Sequence, residues 1–105
     1  MALEGLAVPM VTLFDADGGL DLARNARFVQ GLSDARVDHL FVLGSTGEFP
    51  SVLSSERAPL IDVVVENATG LTDVWVGCGA PSTSQAVAFA KEAEAAGAAA
   101  LVAVP

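Results

Sequence analysis

Apolar and polar residues follow one another along the chain with two different periods, which predict strands and helices in turn. Four runs are short and almost wholly apolar, as expected for strands buried in a parallel sheet. They cover residues 6–12, 37–43, 74–77 and 99–104. In the segments between them, apolar residues recur every three or four positions, which predicts amphipathic helices. The predicted buried faces are Leu22, Ala26, Val29 and Leu32; Ile61, Val64, Val65 and Ala68; and Ala86, Phe89, Ala90 and Ala93.

Local signals mark the ends of these helices. Asp21 precedes the first helix and is expected to cap it, because its carboxylate can accept a hydrogen bond from a free amide of the first turn. Ser54 is expected to do the same for the second helix, which Gly70 would end. The third helix is predicted to begin near Ser82 and to stop at Gly97.

The elements follow the order β-α-β-α-β-α-β. Such regular alternation calls for a parallel sheet whose strands are joined by right-handed crossovers. The repeats are similar in length, as in a (β/α)8 barrel of about 250 residues. We therefore predict an α/β fold, the N-terminal half of a TIM barrel, in which residues 1–105 form one partial domain of about three and a half β/α units. A doubly wound open sheet is the alternative, although Asp15 and Asp17 stand where such a fold would bind phosphate.

The second strand ends in a loop that carries the best candidate for a binding site. Two adjacent hydroxyl residues, Ser45 and Thr46, lie between Gly44 and Gly47. Because glycine has no side chain, we expect both glycines to allow positive φ angles and close approach of a ligand to the amides. Amides beside two hydroxyls suit a small anion such as a carboxylate or phosphate. In a barrel, this loop would lie at the carboxyl ends of the strands, where active sites are found.

The same four residues could instead form an ordinary surface turn, since glycine and serine are common in turns for local reasons. Two known site motifs do not fit the loop. A nucleophile elbow needs glycine two residues before the serine, where this chain has Leu43. A phosphate loop needs a Gly-Lys pair, which the sequence lacks. Binding of a small anion therefore stays the prediction to test.

Composition disfavours several classes of function. With 105 residues, 52% of them hydrophobic, the chain has the size and apolar content of one globular domain. The net charge is −8 and only five residues are Lys or Arg, which leaves no basic surface for nucleic acid. No apolar run reaches the roughly 18 residues of a membrane span. Cys78 has no partner for a disulfide and no signal peptide is evident, so we expect a cytoplasmic protein. No metal site or cofactor is predicted.

Three further side chains are not predicted to be catalytic. His39 falls within the second strand without another metal ligand at a suitable spacing, so a packed or hydrogen-bonded histidine is expected. Cys78 lies between two glycines but has no neighbouring base to activate its thiol. Lys91, the only lysine, falls on the third helix and is expected to be solvated.

Five short motifs are spread over the whole chain. The most distinctive is the run Gly-Ser-Thr-Gly-Glu-Phe at 44–49, directly after the second strand; the others lie at 9–14, 17–21, 77–80 and 101–105. Together they resemble the N-terminal part of the dihydrodipicolinate synthase and N-acetylneuraminate lyase family. The resemblance covers essentially the whole chain and disfavours the interpretation of the loop as an ordinary turn.

The resemblance implies a pyruvate-dependent class I aldolase or related lyase on a (β/α)8 barrel, in which a lysine binds a 2-oxo acid as a Schiff base and an aldehyde is the second substrate. Thr46 would then hold the substrate carboxylate with its hydroxyl and amide, assisted by the amide of Ser45. The Ser45 hydroxyl would join the proton relay of a catalytic tyrosine, which makes Ser45 the candidate catalytic residue. Gly44 and Gly47 would complete the substrate-binding loop. The resemblance also implies a homo-oligomer, either a tetramer or a dimer.

The chain departs from the family pattern at several positions. It contains no tyrosine, and the family's Schiff-base lysine belongs near a sixth strand that this sequence does not reach. As written, the polypeptide is expected to have no aldolase activity. Leu13 replaces a proline usual in the family, and Leu53 replaces a serine or threonine that often caps the second helix. Pro81 stands where lysine-regulated synthases often carry asparagine, so feedback by lysine is not expected.

Two other functions stay open at this point. The chain could be a non-catalytic half-barrel that pairs with itself or with another chain and keeps only a carboxylate-binding loop. It could also be an α/β module that binds phosphate through residues 44–47. Borohydride trapping of a pyruvate adduct separates the first of these from an aldolase. A comparison of pyruvate with phosphate as ligands separates the second.

Overall fold

One parallel sheet, with a helix between each pair of successive strands, makes up the described part of the chain, residues 3–104 of a computed structural model. Its strands are β1 (Ala7–Pro9), β2 (His39–Val42), β3 (Asp73–Gly77) and β4 (Ala100–Val102); its helices are α1 (Leu22–Asp34), α2 (Ser54–Asn67) and α3 (Thr83–Ala95). The predicted order of elements is confirmed. None of the helices in this range has the length and hydrophobicity needed to cross a bilayer. The end of the fifth motif, Pro105, lies outside the described residues.

The strands lie side by side in chain order, and every neighbouring pair is parallel. Paired residues point to the same side of a sheet, so the register separates two faces. On one face Leu40 pairs with Val74 and Val42 with Val76, and all four side chains are buried. Helical residues complete this core from the same side: Val29, Leu60, Ile61, Val64 and Ala93. The main hydrophobic core therefore lies between the sheet and its helices.

The opposite face of the sheet carries aromatic side chains. Phe41 pairs with Trp75, and His39 stacks on Trp75 with ring centroids 4.5 Å apart. In a closed barrel this face would line the interior.

The buried face of α1 differs from the predicted one. Val29 is fully buried as expected, but Leu22 is 36% exposed. Asn25 is buried instead, because its amide group accepts a hydrogen bond from the Leu13 amide and donates to the Leu13 carbonyl at 3.0 Å. A polar side chain can be buried when its hydrogen-bonding groups are satisfied by the backbone. The spacing of apolar residues gives no indication of such a position. Asn25 thereby ties α1 to the loop that follows β1.

The helix caps were predicted in part. The Asp21 carboxylate accepts from the Arg24 amide at 3.0 Å, which confirms the cap of α1. The prediction for Ser54 was wrong, because Leu53 is the residue before α2 and Ser54 lies in its first turn. Leucine has no side-chain acceptor, but Glu56 compensates by accepting from the Leu53 amide at 2.9 Å. This bond is the carboxylate half of a capping box.

Glycine ends only one of the two helices for which it was predicted. Gly97 follows α3 with a φ of 100°, and the amides of Gly97 and Ala98 donate to carbonyls of the last helical turn. This pattern is a Schellman motif. Helix α2 ends earlier than predicted, at Asn67, and Gly70 lies in the turn that follows.

Candidate active site

The predicted binding loop leaves the carboxyl end of β2 as a tight turn. The strand ends at Val42, and residues 45–48 form a turn in which the Glu48 amide donates to the Ser45 carbonyl at 3.0 Å. A short 3-10 helix, Phe49–Ser51, carries the chain on towards α2. Ser45 and Thr46 are both exposed. The structure therefore places the two hydroxyl residues at the tip of the loop, accessible to a small molecule.

The backbone strain of this loop lies on residues other than the glycines. Positive φ angles occur at Leu43 (61°) and Glu48 (53°), whereas neither Gly44 nor Gly47 has one. The expectation that the two glycines would take this conformation was wrong. A left-handed conformation costs a side-chain-bearing residue about 1–2 kcal/mol, so packing of the neighbouring elements must hold Leu43 there. Leu43 is buried.

The two glycines are required instead because other atoms come close to them. A Cβ atom on Gly44 would lie 2.7 Å from the ring of Phe41. A Cβ on Gly47 would lie 3.1 Å from both the Leu43 nitrogen and the Met10 carbonyl oxygen. Both residues are themselves buried. Their role in the structure is to let the loop fold back tightly onto β2 and the end of β1.

Thr12, which was not predicted to be a site residue, holds the loop in place from the segment that follows β1. Its hydroxyl donates to the Gly47 carbonyl at 2.6 Å, and the side chain is buried with 4% exposure. The Met10 amide donates to the Phe41 carbonyl at 2.9 Å, which extends the pairing of the two chain segments beyond β1. The segment after β1 therefore supports the loop after β2 through both backbone and side-chain hydrogen bonds.

The end of β3 contacts the loop from the other side. Gly77, the last residue of β3, packs so closely that a Cβ atom on it would lie 2.1 Å from the Leu43 carbonyl oxygen. The same Cβ would lie 3.3 Å from the Gly44 nitrogen. Only glycine fits at position 77 without displacing backbone. The loop is thus held between the ends of its two neighbouring strands.

A cavity of about 390 Å³ opens beside the loop, at the carboxyl ends of β2, β3 and β4. Its walls are mostly apolar, with Phe41, Phe49 and Val102 among them, and Ser45 is a polar residue in the lining. Gly44 also lines the cavity, whereas Thr46 and Gly47, on the same turn, are not among the lining residues. A cavity of this size suits a small organic acid, and its apolar walls weaken competition from water for the charged group.

His39 and Cys78 lie in different parts of the sheet, and neither is arranged as a nucleophile or base of this site. His39 begins β2, at the opposite end of the strand from the loop, where Nδ1 contacts the Asp73 carboxylate and Nε2 contacts the Glu4 carbonyl, each at 2.5 Å. These two acceptors, the carboxylate first, raise the pKa of His39. The buried Cys78 thiol lies 3.6 Å from the Val102 carbonyl oxygen.

Lys91 is exposed on α3, as predicted, and the described residues contain no group of three side chains arranged to hold a metal ion. Arg57 is the charged residue that the sequence analysis missed. It is 2% exposed, and its Nη2 donates to the Gly77 carbonyl at 2.7 Å. Its charge alone gave no sign of this burial, because arginine on an amphipathic helix usually faces solvent.

Comparisons with known proteins agree with this arrangement. The sequence profile of the Dihydrodipicolinate synthetase family matches residues 2–105. A DapA-like lyase of Halobacterium salinarum, described as uncharacterized, is 42% identical over 104 residues, which make up 99% of this chain and 34% of that protein. A 4-hydroxy-tetrahydrodipicolinate synthase of Salinibacter ruber is 38% identical over 104 residues, with the same two coverages. The chain thus spans about a third of the length of these relatives.

Among solved structures, YagE superposes with a TM-score of 0.89 and 31% identity, over 98% of this chain and 35% of its own. YagE is a prophage protein of the dihydrodipicolinic acid synthase family from E. coli K12, solved in complex with pyruvate. The structural neighbours are TIM barrels, which confirms the predicted fold class. The match to the family profile and to the named relatives confirms the predicted family, which is a family of lyases. The individual roles of Ser45, Thr46, Gly44 and Gly47 stay predictions. The chain belongs to the dihydrodipicolinate synthetase family.

Proposed function

We propose that this chain provides the carboxylate-binding part of a Schiff-base-forming lyase that acts on pyruvate or another 2-oxo acid. The observation that carries the proposal is the position of the Ser45–Thr46 turn beside the cavity at the carboxyl ends of the strands. The family supports it, as does the presence of pyruvate in the related E. coli protein. The same end of the sheet is the place where a TIM barrel carries its active site.

In this proposal the exposed turn holds one end of the 2-oxo acid. The substrate carboxylate accepts hydrogen bonds from the hydroxyl and amide of Thr46 and from the amide of Ser45. Charge-assisted hydrogen bonds of this kind are about twice as strong as neutral ones. A carboxylate fixed by two or three donors leaves the adjacent carbonyl carbon in one orientation, ready for attack by an amine. The apolar walls contributed by Phe41 and Val102 keep water from weakening these bonds.

The covalent step needs an amine beside the bound carbonyl. The nitrogen of the neutral primary amine bonds to the carbonyl carbon, its two protons pass to the carbonyl oxygen, and that oxygen leaves as water, which gives the Schiff base. In the parent enzyme the Ser45 hydroxyl would pass a proton in the relay of the catalytic tyrosine. Lys91 is exposed on α3 and the sequence has no tyrosine, so the 105 residues by themselves are expected to bind pyruvate without converting it.

Titration of ¹⁵N-labelled protein with pyruvate tests the binding loop. We expect the amide signals of Ser45 and Thr46 to shift, and the Thr46→Val variant to bind about tenfold more weakly because it loses one charge-assisted hydrogen bond. Thr69→Val is the matched control, since Thr69 is also an exposed threonine but lies in the turn after α2. Equal pyruvate affinity in both variants would contradict the proposal.

Two further measurements separate the alternatives. Inorganic phosphate that binds as tightly as pyruvate, and loses affinity equally in Thr46→Val, would favour the phosphate-binding module. Borohydride in the presence of pyruvate is expected to leave this chain unlabelled, whereas the parent lyase becomes covalently modified. Labelling of Lys91 in this chain would overturn its assignment as a solvated side chain.

The remaining parts of the proposal follow from the family resemblance. An aldehyde would be the second substrate, and the protein would act in the cytoplasm as a homodimer or homotetramer. Sedimentation measurements test the oligomeric state, and a compact monomer at micromolar concentration would count against it.

A further inference from the structure

Arg57 is the only Lys, Arg, Asp or Glu side chain among the described residues that is buried, and the proposed function does not use it. It lies in the first turn of α2, and its side chain is 2% exposed. Burial lowers the pKa of its guanidinium, and the nearby Glu92 carboxylate acts in the opposite direction. A buried arginine remains charged, so such a residue is kept only where several groups compensate for its lost hydration.

Three contacts, one from β3 and two from α3, hold the guanidinium in one orientation. Nη2 donates a hydrogen bond to the Gly77 carbonyl, at the end of β3, with a distance of 2.7 Å. The ring of Phe89, on α3, lies with its centroid 3.9 Å from Cζ, which is a cation–π contact. Nε lies 3.9 Å from Oε1 of Glu92, also on α3, an electrostatic contact too long for a hydrogen bond. Arg57 therefore joins α2, β3 and α3 at one point.

Gly77, the β3 residue that Arg57 contacts, is itself in contact with the start of the binding loop. Gly77 accepts the hydrogen bond from Arg57 through its carbonyl. The Cα of the same residue packs against the Leu43 carbonyl so closely that no side chain would fit between them. Leu43 has a φ of 61°, a conformation that needs support from its surroundings. The next residue along the chain, Gly44, precedes Ser45. A shift at the Gly77 carbonyl would therefore pass to the loop through backbone atoms in contact.

We propose that Arg57 is a positioning residue, which fixes the end of β3 against Leu43 and thereby sets the orientation of the Ser45 and Thr46 amides. The ligand part of this inference rests on the proposed function, whereas the effect on the loop does not. Methionine at position 57 would fill a similar volume but leave the buried Gly77 carbonyl without its donor. An unpaired buried carbonyl is unfavourable, so the end of β3 would move towards another donor or water.

The test compares amide spectra and pyruvate affinity in four variants of the full chain. Arg57→Met removes the donor, and Arg57→Lys keeps a positive charge and a donor without the planar group. Arg27→Met is the matched control, since Arg27 is an exposed arginine on α1. Ile61→Val removes one methylene from the core on α2, and so lowers stability without touching the loop. The thermal unfolding midpoint of each variant is also measured, so that changes in the amide spectra can be compared between variants of similar stability.

We expect Arg57→Met to shift the ¹⁵N amide signals of residues 43–46 in the absence of ligand, and to weaken pyruvate binding by about tenfold. Arg57→Lys is expected to shift the same signals less and to weaken binding by about threefold. Arg27→Met and Ile61→Val are expected to leave these signals and the affinity unchanged. If Arg57→Met does not fold, the comparison of Arg57→Lys with Ile61→Val decides the question.

Each other outcome has a defined meaning. Unchanged loop signals in the Arg57 variants would overturn the positioning role. Shifted signals with unchanged pyruvate affinity would overturn the ligand part of the inference. Equal shifts in Ile61→Val would also overturn it, because loss of stability alone would then explain them. If the unmodified chain does not bind pyruvate, the proposed function fails, and the ligand-free spectra still decide the role of Arg57.

Discussion

Replacement of Gly77 by alanine is expected to be strongly destabilising, because the added methyl group meets backbone. Its Cβ atom would lie 2.1 Å from the Leu43 carbonyl oxygen and 2.8 Å from the carbonyl carbon. The ordinary distance between carbon and oxygen atoms in contact is about 3.3 Å, so the strand end or the loop must move by about 1 Å. Overpacking costs about 1–3 kcal/mol where side chains can adjust, and more where backbone is the obstacle. We therefore expect Gly77→Ala to lower the free energy of unfolding by at least about 3 kcal/mol.

Unfolding followed by circular dichroism measures this difference. A loss of 1 kcal/mol lowers the midpoint by about 4–8 °C in a domain of this size, so Gly77→Ala should unfold at least about 12 °C earlier. Gly79→Ala is the matched control from the same Gly-Cys-Gly segment, since its nearest neighbour, the Val104 nitrogen, would be 4.0 Å away. Gly79 has no positive φ, so alanine there should be neutral or slightly stabilising. Equal midpoints for the two variants would refute the packing argument.

Three further predictions concern one hydrogen bond, one backbone conformation and one ion pair. Thr12→Val leaves the buried Gly47 carbonyl without its donor and should lower stability by about 2 kcal/mol in urea unfolding, whereas Thr12→Ser, which keeps the hydroxyl, should lose only about 1 kcal/mol; equal losses would argue against the bond. Arg36 has a φ of 61° after α1, so Arg36→Gly should raise the unfolding midpoint by relieving about 1 kcal/mol of strain, and an unchanged midpoint would contradict this. The hydrogen bond to Asp73 raises the pKa of His39. The stabilisation from this pair is therefore complete below about pH 6.5, the pKa of an unperturbed histidine, and is lost as the pH rises through the raised pKa. The difference in urea midpoint between the unmodified chain and Asp73→Asn should therefore shrink between pH 6 and pH 9, and a constant difference would exclude this linkage.

Much of the fold could be predicted because it depends on local pattern. The apolar runs that became β2 and β3 are short and bounded by turn residues, and α2, which lies between them, has apolar residues at the spacing of one buried face. Asp21 and Gly97 act within one helical turn of their own position, so their roles are visible in the sequence. The boundaries were less accurate: the first and last strands are three residues each, shorter than predicted.

The errors have a common cause. Asn25 is buried because its side chain reaches the loop after β1, and a polar residue in an amphipathic pattern is expected outside. Glycine was expected to carry the unusual backbone angles of the binding loop, but Leu43 and Glu48 carry them. We attribute this conformation to the close contact of Gly77, at the end of β3, and to the hydrogen bond from Thr12, in the segment after β1. The contacts behind these errors join residues 12 to 35 positions apart, so no periodic pattern in the sequence reveals them.

The order of the elements, their parallel arrangement and the place of the hydroxyl pair after a strand were determined by the sequence alone, because side-chain period and turn chemistry act over a few residues. The tertiary structure decided how the hydroxyl pair is held: the hydrogen bond from Thr12, the close contact at Gly77 and the buried charge of Arg57. Each of these depends on the distance between elements after packing. Packing brings together atoms whose chemical fit no local pattern records.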